Sequence, residues 1–177
     1  EKIAAENNQE TLGNLSSLLK CFEIAKKDQS DLIYFVEDDY LHYEHSLVDM
    51  LNTYERISSQ HKDEIIVCPS DYPFNYMNNE KTNILIGSQQ HWRTITKMLC
   101  TFMISKKMFQ KHINNFEKTC EKRHEPFEKY LNKILESEIG ISPIKSLAIH
   151  MTNVNSSYGL SPFIDIKKLW EENKIDQ

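Results

Sequence analysis

The sequence predicts an α/β domain with a layered, mostly parallel sheet between flanking helices. Short apolar runs at residues 32–36 and 64–68 are typical of strands buried on both faces, and segments with helical periodicity precede and separate them. This alternation is the pattern of a βα-layered fold, whose ligands bind beyond the carboxyl ends of the strands. The chain has 177 residues, the length of a single domain, so we treat residues 1–177 as one unit.

The predicted elements follow one another along the chain. Apolar residues from Leu15 to Ala25 recur at helical spacing and predict a first helix, which precedes the first strand. The later elements are a helix at residues 46–58, the strand at 64–68, a loop at 69–82, a local β region with loops at 83–105, helices starting near Phe109 and at Pro126, a strand ending at His150, and a short helix in the tail.

Charge and cysteine content argue against several classes of protein. The formal net charge is -5 and the basic residues are spread along the chain, which disfavours binding of nucleic acid through a basic face. Four cysteines without a CxxC spacing indicate a reducing compartment, with neither disulfides nor structural zinc. No apolar run approaches the roughly 20 residues that span a bilayer. We therefore expect a soluble cytoplasmic protein, with association to a membrane surface left open.

Three consecutive carboxylates, Glu37, Asp38 and Asp39, follow the first apolar strand. Side chains alternate along an extended chain, so Glu37 and Asp39 are expected to face a common point and Asp38 to face away. Like charges this close cost free energy unless a cation lies among them. Hard oxygen ligands suit Mg²⁺ or Mn²⁺, which also bind the phosphates of a substrate. The alternative is a solvated acidic turn.

The order of the segments resembles the core of a GT-A-fold nucleotide-sugar glycosyltransferase. "DLIYFVEDDY" resembles the strand that ends in the Asp-x-Asp motif of that family, and "TFMISKKMFQKHINNFEK" resembles its later strand and helix. "HEPFEKYLNKILES" resembles the helix headed by an acidic residue, and "AIHM" the late strand that brings a histidine to the metal. The resemblance implies a Rossmann-like fold and an enzyme that uses Mn²⁺ or Mg²⁺ to move a sugar from a nucleotide-sugar donor to a glycan or lipid-linked acceptor, in glycan or surface-polysaccharide synthesis.

The same resemblance implies roles for individual residues. Asp39 would bind the metal, Glu37 would assist through water or the ribose of the donor, and His150 would contact the metal or the diphosphate. Glu125 would be the general base that takes the proton from the acceptor hydroxyl. Two alternatives stay open: Glu125 as a charge that stabilises the start of a helix, and His150 as a histidine of the core.

Two unusual loops, "PSDYPFNY" and "QHWRT", combine aromatic rings with an acid and a guanidinium group, a mixture that stacks on sugars and binds phosphates. We expect the acceptor to be bound by Asp71, Tyr72, Tyr76 and Trp92, and the donor by Asp38 and Arg93. The alternative is that Trp92 and the tyrosines cover the core beneath long loops.

Other functions remain possible from the sequence. The first strand and base-binding loops of the resembled family are missing before the first helix, which predicts an N-terminally truncated domain and leaves a non-catalytic binding or scaffold module as an alternative. A metal-dependent phosphoryl hydrolase is another, although no second acidic group with a partner histidine completes a two-metal site. His42 and His45 would share one face if they lay on a helix, and could then bind a transition metal.

Overall fold

The computed structural model of the chain describes residues 13–77, 79–155 and 160–174. The expectation of N-terminal truncation rests on residues that lie almost wholly outside this part. The helices are α1 (Gly13–Lys27), α2 (Ser46–His61), α3 (Lys106–Lys111), α4 (Ile113–Glu121), α5 (Lys129–Ile134) and α6 (Ile166–Glu172). The strands are β1 (Leu32–Phe35), β2 (Tyr40–His42), β3 (Ile65–Val67), β4 (Ile84–Ile86), β5 (His91–Ile95), β6 (Phe102–Ser105), β7 (Ile139–Pro143) and β8 (Ala148–His150), with 3₁₀ helices at Pro73–Tyr76 and Met151–Asn155.

Six strands form one mixed sheet in the order β1-β6-β3-β7-β5-β4. Of the strand pairs in this sheet that the structure describes, β3 with β7 is parallel and the others are antiparallel. The prediction of a mostly parallel sheet is therefore wrong, whereas the α/β class with flanking helices is confirmed. An apolar run looks the same in a buried parallel strand and in a central antiparallel one, so composition could not distinguish them.

The sequence analysis did not identify two inner strands, β5 and β7. The β7 strand contains glycine and proline, which are depleted in strand interiors. Gly140 is needed there because a Cβ atom would collide with the side chain of Leu135 and would lie 3.2 Å from Cγ1 of Ile95. The β5 strand looks polar in sequence, yet Trp92, Arg93 and Ile95 are all buried.

The predicted helices are confirmed with changes at their ends. The helix expected from Phe109 is two helices, α3 and α4, which meet at His112. The helix expected to begin at Pro126 begins at Lys129, because Glu128 takes the position just before the first helical turn. Glu125 therefore precedes the helix by several residues rather than standing at its start.

The helices pack on both faces of the sheet. On one face Phe22 of α1, Phe109 of α3 and Phe116 of α4 pack in tilted and edge-to-face arrangements, with ring centroids 4.8 Å apart for the last two. On the other face Met50 and Ile57 of α2 pack against strand residues. A second, two-stranded sheet joins β2 to β8. This small sheet connects the turn after β1 to the end of the last strand.

Two further features concern the helices and the cysteines. Within the described ranges, no helix combines the length and apolar character needed to cross a membrane. All four cysteines are free thiols, with Cys21 exposed and the other three buried.

Candidate functional site

The three acids lie in the turn between β1 and β2. The first strand ends at Phe35, and the backbone N–H of Tyr40 donates a hydrogen bond to the carbonyl of Glu37 at 3.4 Å. Asp38 is exposed, whereas Glu37 and Asp39 are half-buried. Asp38 therefore differs in exposure from the other two acids, as predicted from alternating side chains. The backbone turns here, however, instead of staying extended as that prediction assumed.

Glu37 is held against Thr101. Its backbone N–H donates to Thr101 Oγ1 at 3.0 Å, and that hydroxyl lies 3.4 Å from Glu37 Oε2, to which it donates. Burial, together with the negative charges of Asp39 and Glu128, raises the pKa of Glu37 to about 7, against the Thr101 hydrogen bond, which lowers it. The Glu37 carboxyl thus changes charge near neutral pH, and a nearby cation would favour its ionised form.

Asp39 and His150 meet across the small sheet. Tyr40 pairs with His150 in the β2–β8 ladder, and the backbone N–H of Met151 donates to the carbonyl of Asp39 at 2.9 Å. Asp39 Oδ2 consequently lies 2.8 Å from His150 Nε2, and Thr152 Oγ1 donates to the same oxygen at 3.3 Å. Two of the predicted metal ligands, distant in sequence, are in contact.

The ring of Tyr40 covers one face of the His150 imidazole. It stacks on the ring of Tyr40 with centroids 4.8 Å apart and planes 10° from parallel. Its Nδ1 atom is buried and makes no hydrogen bond to any residue that the structure describes. Nε1 of the core residue Trp92 is also buried without a partner in the described ranges, so the unpaired Nδ1 does not by itself distinguish a functional His150 from a histidine of the core.

Glu128 is a candidate site residue that was not predicted from the sequence. It is half-buried at the head of α5, where burial raises the pKa of its carboxyl, the charge of His150 lowers it and that of Glu125 raises it. Its own charge in turn raises the pKa of Glu37. Acids are common at helix starts for local reasons, so the residue pattern does not distinguish this one. Glu125, the predicted base, is exposed in the segment between α4 and α5.

Asp39, Glu37 and His150 supply donors that fit Mg²⁺ or Mn²⁺. Within the described ranges no three His, Cys, Asp or Glu side chains are arranged to hold a metal by themselves. These ions commonly take one or two carboxylates and fill their other positions with water and substrate phosphate. Neighbouring ligands of an octahedral ion with bonds of about 2.1 Å lie about 3.0 Å apart. The 2.8 Å between Asp39 Oδ2 and His150 Nε2 is close to that value.

Arg93 and Asp71 form an internal ion pair. Arg93 Nη2 lies 3.2 Å from Asp71 Oδ1, and the guanidinium lies over the ring of Tyr76, 4.3 Å from its centroid. The hydroxyls of Tyr76 and Ser161 both donate to Asp71 Oδ2. The predicted donor contact of Arg93 and acceptor contact of Asp71 thus belong to one buried network.

The other predicted acceptor residues divide by exposure. Tyr72 and Trp92 are fully buried, and the Tyr72 hydroxyl lies 2.9 Å from that of Tyr40. Their burial favours the alternative in which they fill the core. Tyr76 is about half exposed and presents part of its ring at the surface.

His42 and His45 do not share a helix. His42 lies on β2, where its Nε2 is 2.6 Å from the hydroxyl of Tyr34, and His45 immediately precedes α2. The helical spacing on which the transition-metal hypothesis depended is therefore wrong.

In comparisons with models of protein families, with curated proteins and with solved structures, this chain matches none of them. The function of the chain is therefore inferred from the geometry around Asp39 and His150.

Proposed function

We propose that this chain is a GT-A-like glycosyltransferase domain that uses Mn²⁺ or Mg²⁺ to transfer a sugar from a nucleotide-sugar donor to an acceptor hydroxyl. The observation that carries the proposal is the contact of Asp39 with His150 through the β2–β8 pair. The resembled family uses residues of these two types, from segments in this order. We further propose a cytoplasmic setting and a glycan or lipid-linked acceptor.

The acids and the histidine would act on the departing nucleoside diphosphate. Asp39 and His150 would hold the ion, and the bound metal supplies Lewis-acid stabilisation of the charge that develops on the leaving group. Glu37, half-buried beside Asp39, adds negative charge that favours a divalent cation at this turn.

Two carboxylates are candidates for the general base. Glu125 is the residue that the resemblance implies, and its exposure leaves it accessible to an acceptor. Glu128 is more buried, and its raised pKa strengthens its carboxylate as a proton acceptor. Both follow α4, on the segment that leads into α5.

Metal-dependent binding of a nucleoside diphosphate tests the proposal. We expect calorimetric titration to show that UDP, or another diphosphate from a small panel, binds with Mn²⁺ and not with EDTA. His150→Ala should abolish this binding, while His61→Ala, at an exposed histidine in the last turn of α2, should leave it unchanged.

Three results would count against this function. Binding that does not require metal, or that survives His150→Ala, removes the role of the Asp39–His150 pair. Release of phosphate from model esters supports the hydrolase alternative. Absence of both diphosphate binding and ester hydrolysis supports a scaffold module.

A further inference from the structure

A small cavity lies away from the Asp39–His150 pair. It has a volume of about 30 Å³ and lies between the first 3₁₀ helix, the segment at residues 80–82 and strand β5. A space of this size holds two or three water-sized groups. Its lining includes Asn75, Lys81, Arg93 and Lys97.

Two of the lining residues carry hydrogen-bond donors with no partner in the described ranges. These donors are Nε of Arg93 and Nδ2 of Asn75, and both atoms are buried. The Arg93 side chain is only 10% exposed, and its Nη2 is already engaged by Asp71 and Tyr76. Buried donors cost free energy when they are left unpaired, so a group that accepts hydrogen bonds is favoured here.

The charges around the cavity favour an anionic acceptor. Asp71 is committed to Arg93, and Glu80 accepts from Thr96 and lies 3.9 Å from Nζ of Lys97. Lys81 adds a further positive charge at the exposed rim. Arg93 and Lys97 pair with these two acids, so Lys81 supplies the net positive charge beside the cavity.

We propose that this cavity binds an oxyanion, a carboxylate or phosphate group, through the Nε–H of Arg93 and the amide of Asn75. A guanidinium group donates in its plane, so Nη2 can serve Asp71 while Nε serves a ligand. The small volume admits the oxyanion and leaves the rest of a larger ligand outside. The site requires no metal, so it is independent of the glycosyltransferase proposal.

The test uses the intact chain in EDTA, titrated with inorganic phosphate or with acetate against chloride at equal ionic strength. Nitrogen-15 NMR of arginine side chains follows the Nε–H of Arg93 directly. We expect its resonance to move and saturate with phosphate, acetate or both. Saturation with phosphate alone or acetate alone supports the site and identifies the chemistry of its ligand.

Matched variants separate the cavity from general charge effects. Asn75→Asp replaces the amide donors with a negative carboxylate and should weaken oxyanion binding about tenfold or more, the scale of one charge-assisted hydrogen bond. Asn52→Asp makes the same charge change on the exposed side of α2 and should leave affinity unchanged. Equal weakening in both variants, or an Arg93 Nε–H that neither anion moves in the wild-type protein, overturns the proposal. If Asn75→Asp does not fold, the wild-type titration alone decides.

Discussion

Asp71 and Arg93 form an ion pair in the interior, with side chains 0% and 10% exposed and the Oδ1 and Nη2 atoms 3.2 Å apart. Burial raises the pKa of Asp71, while hydrogen bonds from Ser161 and Tyr76 and the charge of Arg93 lower it. The pair joins the loop after β3 to strand β5. Loss of either partner leaves the other charge uncompensated in a low-dielectric environment.

We therefore expect Asp71→Asn to lower the free energy of unfolding by about 3 kcal/mol, the lower part of the range for breaking a buried ion pair. Urea denaturation measures the change. Glu136→Gln, which removes one negative charge at an exposed position, is the matched control and should change stability by less than about 0.5 kcal/mol. Similar midpoints for the two variants would mean that Asp71 and Arg93 do not act as a buried pair.

The raised pKa of Glu37 predicts a pH dependence of stability without metal. Its folded-state pKa of about 7 lies above the ordinary value of 4.5, so the folded state binds the proton more tightly. The stabilisation from this proton is complete below pH 4.5 and is lost as the pH rises through 7. After allowance for solvent screening we expect a contribution of about 1 kcal/mol.

Glu37→Gln should remove this contribution. In thermal melts in EDTA between pH 4.5 and 8, the wild-type midpoint should fall relative to that of the variant by roughly 2–4 °C. The difference between the two profiles is the quantity to compare, because other carboxyls titrate in both proteins. Parallel profiles would show that Glu37 is ordinarily solvated.

Transfer activity distinguishes the two candidate bases. We expect Glu125→Gln to lower transfer about a hundredfold or more in the active protein and to leave metal-dependent UDP binding intact, the usual effect of removing a positioned base. Glu128→Gln is measured beside it. The control is Glu121→Gln, at an exposed position at the end of α4. A loss of transfer activity in Glu128→Gln alone would identify Glu128 as the general base. Full activity in both variants would exclude a carboxylate base on this segment.

Much of the architecture followed from periodicity in the sequence. Helices α1 and α2 and strands β1 and β3 have strong apolar patterns that local chemistry determines. Strand β7 could not be predicted, because its Gly140 is explained by the close approach of Leu135, the residue just after α5, which is a tertiary contact. The direction of the strands could not be predicted either. A strand buried on both faces has the same apolar sequence whether its neighbours run parallel or antiparallel to it.

The candidate site was predicted in part. Glu37, Asp39 and His150 were proposed from the residues and the resemblance, and the structure brings Asp39 and His150 into contact. Trp92 looked like a ligand-binding aromatic residue, but it is fully buried on strand β5, where a side chain at Gly87 would collide with its indole. Aromatic residues next to polar ones do not reveal from sequence alone which face of a strand they occupy.

Thermal melts of wild type and Asp39→Asn, with and without Mn²⁺ and UDP, decide whether Asp39 binds a divalent cation together with His150. Asparagine keeps the shape and removes one charge, which relieves the repulsion with Glu37 and weakens the contact with His150, so the variant without metal should melt close to the wild type. Metal and UDP at about a hundred times their dissociation constant stabilise the folded wild type by roughly 2.7 kcal/mol, which raises its midpoint by roughly 5–10 °C. The account predicts this rise in the wild type and hardly any in Asp39→Asn. Equal rises in both proteins would contradict it and would leave the three acids as a solvated turn.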